Sequence, residues 1–471
     1  MARERKERRL LLRTTERRML LIFGDFVVAL AATIAALALW SQLDYLALSE
    51  EFVRVRAGWF VLLPFVWLIL MVNLYDIRRA SSWSGTLRGV LAAAAVGTML
   101  YLGIYFFRSE PGSLPRRGPL YFLIIVVLLT LLWRLLYVKI FTRQTFMRRA
   151  LIIGAGSSGR AILDVLESSN PSPFYIVGLI DDDPAKHGEK IHNFEVLGDS
   201  SIIDKLIDEE YISDIIVAIM GTMQGSTFQT ILDAQEGGVE IIRMPVLYEE
   251  LLGRVPIQHL ESDWLLRSFV DEVRISRLYT IIKRILDIVG AMFGLLLMGL
   301  FFPLIAIAVL MESGRPILFT QTRLGQGGKS FELLKFRTMS QDAEADGLPH
   351  WSKVDDPRAT RVGRVLRKTH MDEFPQFINV LKGDMSMVGP RPERPEFVEQ
   401  LEKQIPFYRA RLLTKPGIGG WAQVNYGKGG SIEGTAQKLE FDLYYIKNRS
   451  IWLDLWVILR SVGAGIGLRG V

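Results

Sequence analysis

The sequence predicts a three-part membrane protein. An α-helical bundle of four spans comes first, then a Rossmann-like α/β domain on a parallel sheet. Last comes a re-entrant membrane helix carrying a mainly α-helical cytoplasmic catalytic domain. Three observations point there. Four apolar runs alternate with short polar loops before residue 140. Strand and helix patterns then alternate over residues 149–248 around a glycine-rich turn. A further apolar run, Ile288–Met311, has basic residues at both ends and precedes a block dense in Arg, Lys, Asp, Glu, Gly and Pro.

Composition sets the limits. Of 471 residues 50% are hydrophobic and the mean hydropathy is +0.24, too apolar for a disordered chain. The net charge of +6 suits an anionic membrane surface or a phosphorylated substrate. The absence of cysteine excludes disulfides, thiolate-bound zinc, iron–sulfur clusters and a thiol nucleophile. The five histidines, His187, His192, His259, His350 and His370, have no metal-ligand spacing.

The expected spans are Met19–Trp40, Ala57–Tyr75, Leu87–Phe107 and Leu120–Val138, each long enough to cross a bilayer. With the N-terminus inside, inner segments 1–18, 76–88 and 139–149 hold 15 Lys/Arg against 5 in the outer loops 41–56 and 108–118. This bias puts residue 139 onward in the cytoplasm. Asp25 and Arg134, within or near the spans, read as helix–helix pairing or snorkelling.

Strands are expected at 149–155, Tyr175–Ile180, Asp214–Met220 and Val239–Met244. Gly154-x-Gly156-x-x-Gly159 follows the first and opens a helix, Arg160–Ser168, which is the Rossmann fingerprint. Asp181 sits where a ribose-binding acid belongs. No Tyr-x-x-x-Lys pair accompanies it, since Tyr248 and Tyr279 lack a Lys four residues on. The domain therefore reads as structural or regulatory, without bound NAD or another nucleotide doing chemistry. Residues 249–278 form a connector.

The run from Ile288 would span if straight. Lys283 and Arg284 precede it, and Arg315, Arg323 and Lys329 follow, so no charge asymmetry favours crossing. Pro303 interrupts it. A helix over 281–311 that enters, bends and returns satisfies both facts; a plain fifth span is the alternative.

Beyond residue 315, Pro375 and Gly383 mark the ends of a helix Pro375–Lys382. Asp372 and Glu373 stand just ahead of its positive end, with Arg364, Arg367 and Lys368 upstream. Two carboxylates amid cations suit magnesium with a diphosphate, or one metal ligand beside a nucleophile; a solvated helix start is the plain alternative. Arg391 lies between Pro390 and Pro392, where fixed φ angles limit where its guanidinium points, and that fork suits phosphate oxygens. Trp452 and Trp456 in Ile451–Leu459 suit one face of an interfacial helix, or of a buried core helix.

These stretches resemble a known family. Lys283-Arg284-x-x-Asp287, Lys335-Phe336-Arg337-x-Met339, Asp372-Glu373-x-Pro375-Gln376, Gly383-Asp384-Met385-Ser386, Val388-Gly389-Pro390-Arg391-Pro392 and Lys415-Pro416-Gly417-Ile418 are similar to those of the bacterial sugar transferases. The whole chain is similar to the large membrane members of the exopolysaccharide, exosortase-associated type. Residues 1–148 would be the membrane region, 149–248 the Rossmann-like domain, 249–278 the connector and 279–471 the catalytic domain.

The resemblance implies transfer of sugar-1-phosphate from a UDP-sugar to undecaprenyl phosphate, giving undecaprenyl-diphosphate-sugar and UMP. This would begin exopolysaccharide synthesis at the bacterial inner membrane, with the catalytic domain in the cytoplasm. Glucose is the expected sugar and galactose the alternative. By carry-over Asp372 is the nucleophile and Glu373 the Mg2+ ligand. Arg391 and Arg367 would hold phosphate oxygens. Lys283 and Arg284 would sit at the headgroups and meet the prenyl phosphate, and Asp287 and Asp442 would wall the site. Phe302 departs from the family's usual Ser before the kinking proline. Membrane lipids are expected partners, nucleic acid is not, and a homodimer is left open. The competing functions are a membrane-tethered nucleotide-sugar dehydratase or epimerase, and a non-enzymatic nucleotide-sensing scaffold.

Overall fold

The computed structural model describes residues 14–43, 60–75, 83–107, 117–141, 148–169, 172–260, 276–340, 343, 356–426 and 431–465. They form two compact units. One reaches Ile242; the other, which also takes Met220–Thr222, runs from Arg243.

The first unit opens with α1 (Thr14–Leu43), α2 (Leu63–Leu70), α3 (Trp83–Phe107) and α4 (Arg117–Phe141). α1, α3 and α4 are long and apolar enough to cross a membrane. Small residues on α1, Ala29, Ala32 and Ala36, are fully buried and let it lie close along α4, while Phe23, Val27 and Ile34 face outward. Arg134 donates to Asp25 at 2.6 Å with both side chains fully buried, and also to the Leu74 carbonyl at 3.0 Å. These two residues therefore pair helices.

The second expected span is corrected. From Phe60 to Tyr75 the chain is a turn, the eight-residue α2 and a 3-10 turn over Val72–Tyr75. Pro64 has no N–H to bond the carbonyl four residues back, so the helix restarts there. Residues 57–59 lie outside the described residues.

The α/β domain follows with β1 (Arg148–Ile153), α5 (Ser157–Ser168), β2 (Phe174–Ile180), β3 (Lys190–Ile191), β4 (Phe194–Gly198), α6 (Ile203–Glu210), β5 (Asp214–Val217), α7 (Gly225–Glu236) and β6 (Glu240–Arg243). The sheet order is β3-β4-β2-β1-β5-β6, with β2 and β5 parallel to β1. All four expected strands are present; the β3–β4 hairpin was not anticipated. Gly154 has φ +106°, and a Cβ on Gly159 would lie 2.0 Å from the Gly154 carbonyl oxygen, so the turn admits only glycine at both places. Asp181 accepts from the Ala155 N–H at 2.7 Å and from Lys186 Nζ at 3.0 Å.

The second unit begins with α8 (Met244–Leu252), then α9 (Arg277–Ser313) and the antiparallel hairpin β7 (Leu318–Leu324) and β8 (Ser330–Phe336). Next come α10 (Arg361–Lys368), α11 (Gln376–Lys382), β9 (Ser386–Val388), α12 (Pro395–Leu401) and β10 (Gly417–Gly419), which pairs in parallel with β9. The unit ends with α13 (Trp421–Asn425), α14 (Ile432–Lys447) and α15 (Ile451–Gly465). α9 is one helix of 37 residues that continues through Pro303, about 55 Å at 1.5 Å per residue. Leu296, Leu300 and Leu304 are each 72% exposed, one stripe running across the proline. On the opposite face Ala291 packs with Leu333 and Val380, and Ile305 and Val309 with Phe336 and Leu366. On α15 the exposed apolar stripe is Trp452, Leu455 and Leu459, whereas Trp456 lies under the Arg460 guanidinium at 5.7 Å. This corrects the expected Trp452–Trp456 face.

Candidate active site

Asp372 and Glu373 lie in a 3-10 turn, Met371–Glu373, between α10 and α11. His370 turns the chain there in the left-handed region, φ +57°, which histidine enters more readily than most residues. α11 then runs from Gln376 to Lys382 and is closed by Gly383 at φ +93°, as the sequence predicts. Both carboxylates are buried, 8% and 9% exposed.

Their surroundings differ. Glu373 Oε1 accepts from Arg391 Nη2 at 2.7 Å and from Lys335 Nζ on β8 at 3.1 Å. Burial opposes the Glu373 charge, but Arg391 and Lys335 outweigh it and hold the carboxyl well below its usual range. Asp372 accepts no hydrogen bond among the described residues. Burial pushes its carboxyl up. Lys335 pulls it back, Glu373 pushes it further up, and Arg391 and His370 offset only part. Two adjacent acids are thus driven apart: one a fixed anion between cations, the other a carboxyl with unengaged oxygens.

Arg391 reaches Glu373 from a rigid loop. β9 and β10 approach so closely that a Cβ on Gly389 would lie 2.3 Å from the Lys415 carbonyl oxygen. Four successive carbonyls beyond it are engaged. Those of Pro390 and Glu393 accept from the N–H groups of Gly417 and Leu324, those of Arg391 and Pro392 from the guanidinium groups of Arg411 and Arg323. Beside the loop is a recess of about 250 Å³, open to solvent and lined in part by Leu324, Arg391, Glu393, Arg411 and Thr414.

The other expected site residues lie elsewhere. Lys283 Nζ is bound to Asp454 at 3.1 Å and to the Val388 carbonyl at 3.2 Å. Arg284 forks onto the Val380 and Leu381 carbonyls, both at 2.7 Å, at the negative end of α11. Asp287 accepts from Ser386 Oγ and the Met387 N–H, both at 2.8 Å. These three tie α9 to β9 and α11, which corrects the expectation that Lys283 and Arg284 meet a lipid phosphate and that Asp287 walls the site. Asp442 is 2% exposed and bound to Arg411 at 3.0 Å behind the Arg391 loop, so it does not line the dyad either. Arg367 occupies the last turn of α10, just ahead of the dyad. Lys335 and Arg411 were not assigned roles from sequence. Lys335 stood in a recognised motif, but only the fold brings it to Glu373.

Among the described residues no three His, Asp or Glu side chains cluster to hold a metal. The dyad alone offers carboxylate oxygen, and both cationic bonds of Glu373 fall on one of its two oxygens. Magnesium commonly takes one or two carboxylates and completes its shell with phosphate and water. The residues fit such an ion arriving with a diphosphate.

Residues 278–467 match the family described as bacterial sugar transferase, and residues 70–245 match one described as a CoA-binding domain. The chain is 42% identical over 237 residues to an Aeromonas hydrophila UDP-N-acetylgalactosamine-undecaprenyl-phosphate N-acetylgalactosaminephosphotransferase, covering 49% of this chain and 54% of that one. It is 42% identical to an Escherichia coli UDP-glucose:undecaprenyl-phosphate glucose-1-phosphate transferase, over 41% of each chain. It thus spans about half or less of the length of these two relatives. A Caulobacter vibrioides UDP-glucose:undecaprenyl-phosphate glucose-1-phosphate transferase is 44% identical over 38% of this chain and 68% of its own. On this match and on the motifs gathered around Asp372 and Glu373, the chain belongs to the bacterial sugar transferase family.

Proposed function

We propose that the protein transfers a sugar-1-phosphate from a UDP-sugar to undecaprenyl phosphate, releasing UMP, through a phosphosugar intermediate on Asp372. The observation that carries this reading is the contrast within the dyad. A buried carboxyl with no hydrogen bond stands beside a carboxylate clamped by two cations. An Asp372 oxygen attacks the phosphorus bearing the sugar. The bond from that phosphorus to the bridging oxygen breaks, and UMP leaves with the electron pair. A phosphate oxygen of undecaprenyl phosphate then attacks the same phosphorus, and the Asp372 carboxylate departs. Arg391 and Lys335 supply positive charge where the phosphoryl oxygens gather it. Glu373 would hold a magnesium ion, which neutralises diphosphate charge when bound.

Such a site belongs at the headgroup plane, and α9 supports that location. Its N-terminal half is tied to β9 and α11 by Lys283, Arg284 and Asp287. Beyond Pro303, Glu312 accepts from the Arg361 and Val362 N–H groups at the start of α10, at 2.7 and 2.8 Å. Polar bonds to one folded unit at both ends favour a helix that dips into one leaflet and returns over a helix that crosses. The charge bias of the N-terminal loops favours the cytoplasmic side. Relatives named for glucose and for N-acetylgalactosamine leave the sugar to be measured.

The test is donor trapping. Full-length protein with magnesium and each of UDP-glucose, UDP-galactose and UDP-N-acetylgalactosamine, labelled in the sugar phosphate, should acquire label when undecaprenyl phosphate is absent. Adding the lipid should discharge it. No label and no UMP from any donor ends the proposal.

A further inference from the structure

Arg411 lies in a 3-10 turn, Tyr408–Leu413, outside the dyad, and is 8% exposed. Its Nη1 donates to Tyr408 Oη at 2.7 Å. Its Nη2 donates to Asp442 Oδ2 at 3.0 Å and to the Arg391 carbonyl at 2.9 Å. The Arg391 side chain, 47% exposed, turns the other way to Glu373. One chain of contacts therefore runs from a buried acid on α14 through a buried guanidinium to the backbone of the residue that grips the dyad.

A buried ion pair is a poor device for stability alone, because desolvation cancels most of its attraction and an apolar pair of equal volume would serve as well. What it supplies is direction. A planar guanidinium held by Asp442 and Tyr408 has its remaining N–H aimed at one point, and that point is the Arg391 carbonyl. With Pro390 and Pro392 fixing φ on either side, the carbonyl sets where the Arg391 side chain leaves the backbone.

We propose that Arg411, oriented by Asp442 and Tyr408, is a positioning residue that sets the reach of Arg391 to Glu373 and the transferred phosphate. This rests on the proposed transferase reaction. A displacement of about 1 Å in such a group lowers rates by about 100-fold.

The experiment is a double-mutant cycle on full-length protein in lipid nanodiscs, reading UMP release with UDP-sugar and undecaprenyl phosphate. Its members are Arg411→Lys, Arg391→Lys and the double variant. Arg411→Lys keeps the charge beside Asp442 but loses the planar fork. It should lower kcat about 10- to 100-fold with little change in the donor KM. In the Arg391→Lys background it should cost little more. Equal losses in both backgrounds would mean a general structural role and would overturn the inference, as would Arg411→Lys at the wild-type rate. If Arg411→Lys does not fold, the neutral pair Arg411→Gln with Asp442→Asn replaces it in the same cycle, with the same two readings. A wild-type protein that releases no UMP from any donor brings down the transferase reading itself, and this inference with it.

Discussion

Replacing Asp372 with Asn should abolish turnover and at the same time stabilise the protein. Asp372 accepts no hydrogen bond among the described residues, so an amide of the same shape breaks none. Burial raises its folded pKa above the unfolded value near 3.9, with Glu373 adding to the shift. The sign follows. A raised carboxyl contributes stability that is present below the unfolded pKa and lost as pH rises, so at neutral pH the ionised group works against the fold. The neutral amide removes that burden and relieves Glu373, while Arg391 and Lys335 keep their bonds to Glu373. A gain of about 1 kcal/mol is typical for such a relief. In a unit of this size it corresponds to roughly 2–4 °C in Tm. Thermal unfolding of detergent-solubilised protein, followed by tryptophan fluorescence, measures the gain. UMP release and donor labelling measure the chemistry, and both should fall to background. A variant that melts several degrees lower, or that still takes label, would refute this account of the dyad.

Three other outcomes are expected. Burial, opposed by Arg254 3.2 Å away, pushes Glu440 up to about 7. Because that value exceeds the unfolded one, Glu440 weakens the fold as pH rises, by about 2–3 kcal/mol between pH 5 and pH 8. Glu440→Gln should narrow the stability difference between those pH values by that amount in paired melts. Asp287→Ala removes two 2.8 Å bonds to a charged acceptor and leaves the Met387 N–H unpaired, so it should destabilise by about 3 kcal/mol in thermal unfolding, with Asp287→Asn milder. The chain has no cysteine, so Arg277→Cys and Arg315→Cys each introduce a single thiol. An impermeant maleimide should reach both in inside-out vesicles and neither in spheroplasts; labelling from opposite sides would mean that α9 crosses.

Local signals predicted much of this chain. The limits of α11 follow from Pro375 and Gly383, and the tight β1–α5 turn from Gly154 and Gly159, because each depends on one residue's own backbone freedom. α1, α3 and α4 follow from apolar length. What was not legible depended on distant partners. Lys283, Arg284 and Asp287 carry the right chemistry for a phosphate site, but their partners lie about a hundred residues away in β9 and α11, and those partners decide what they do. Asp442 likewise looks like a site acid until Arg411 is found beside it. The β3–β4 hairpin escaped notice because strands of two and five residues around a turn carry too little periodicity. The dyad's unequal environments also needed the fold, since the sequence presents two neighbouring acids as equals.

The two-ended fastening of α9 has a mechanical consequence. The helix is bolted to the unit that bears Asp372 at Lys283, Arg284 and Asp287 and again at Glu312, so no slack tether separates the oily stripe from the reacting carboxyl. How deep Leu296, Leu300 and Leu304 sink fixes the altitude at which the carboxyl works. Acyl-chain length, rather than loop flexibility, then governs how easily a greasy acceptor drifting sideways meets it, and crowding is counted per unit area of leaflet rather than per litre.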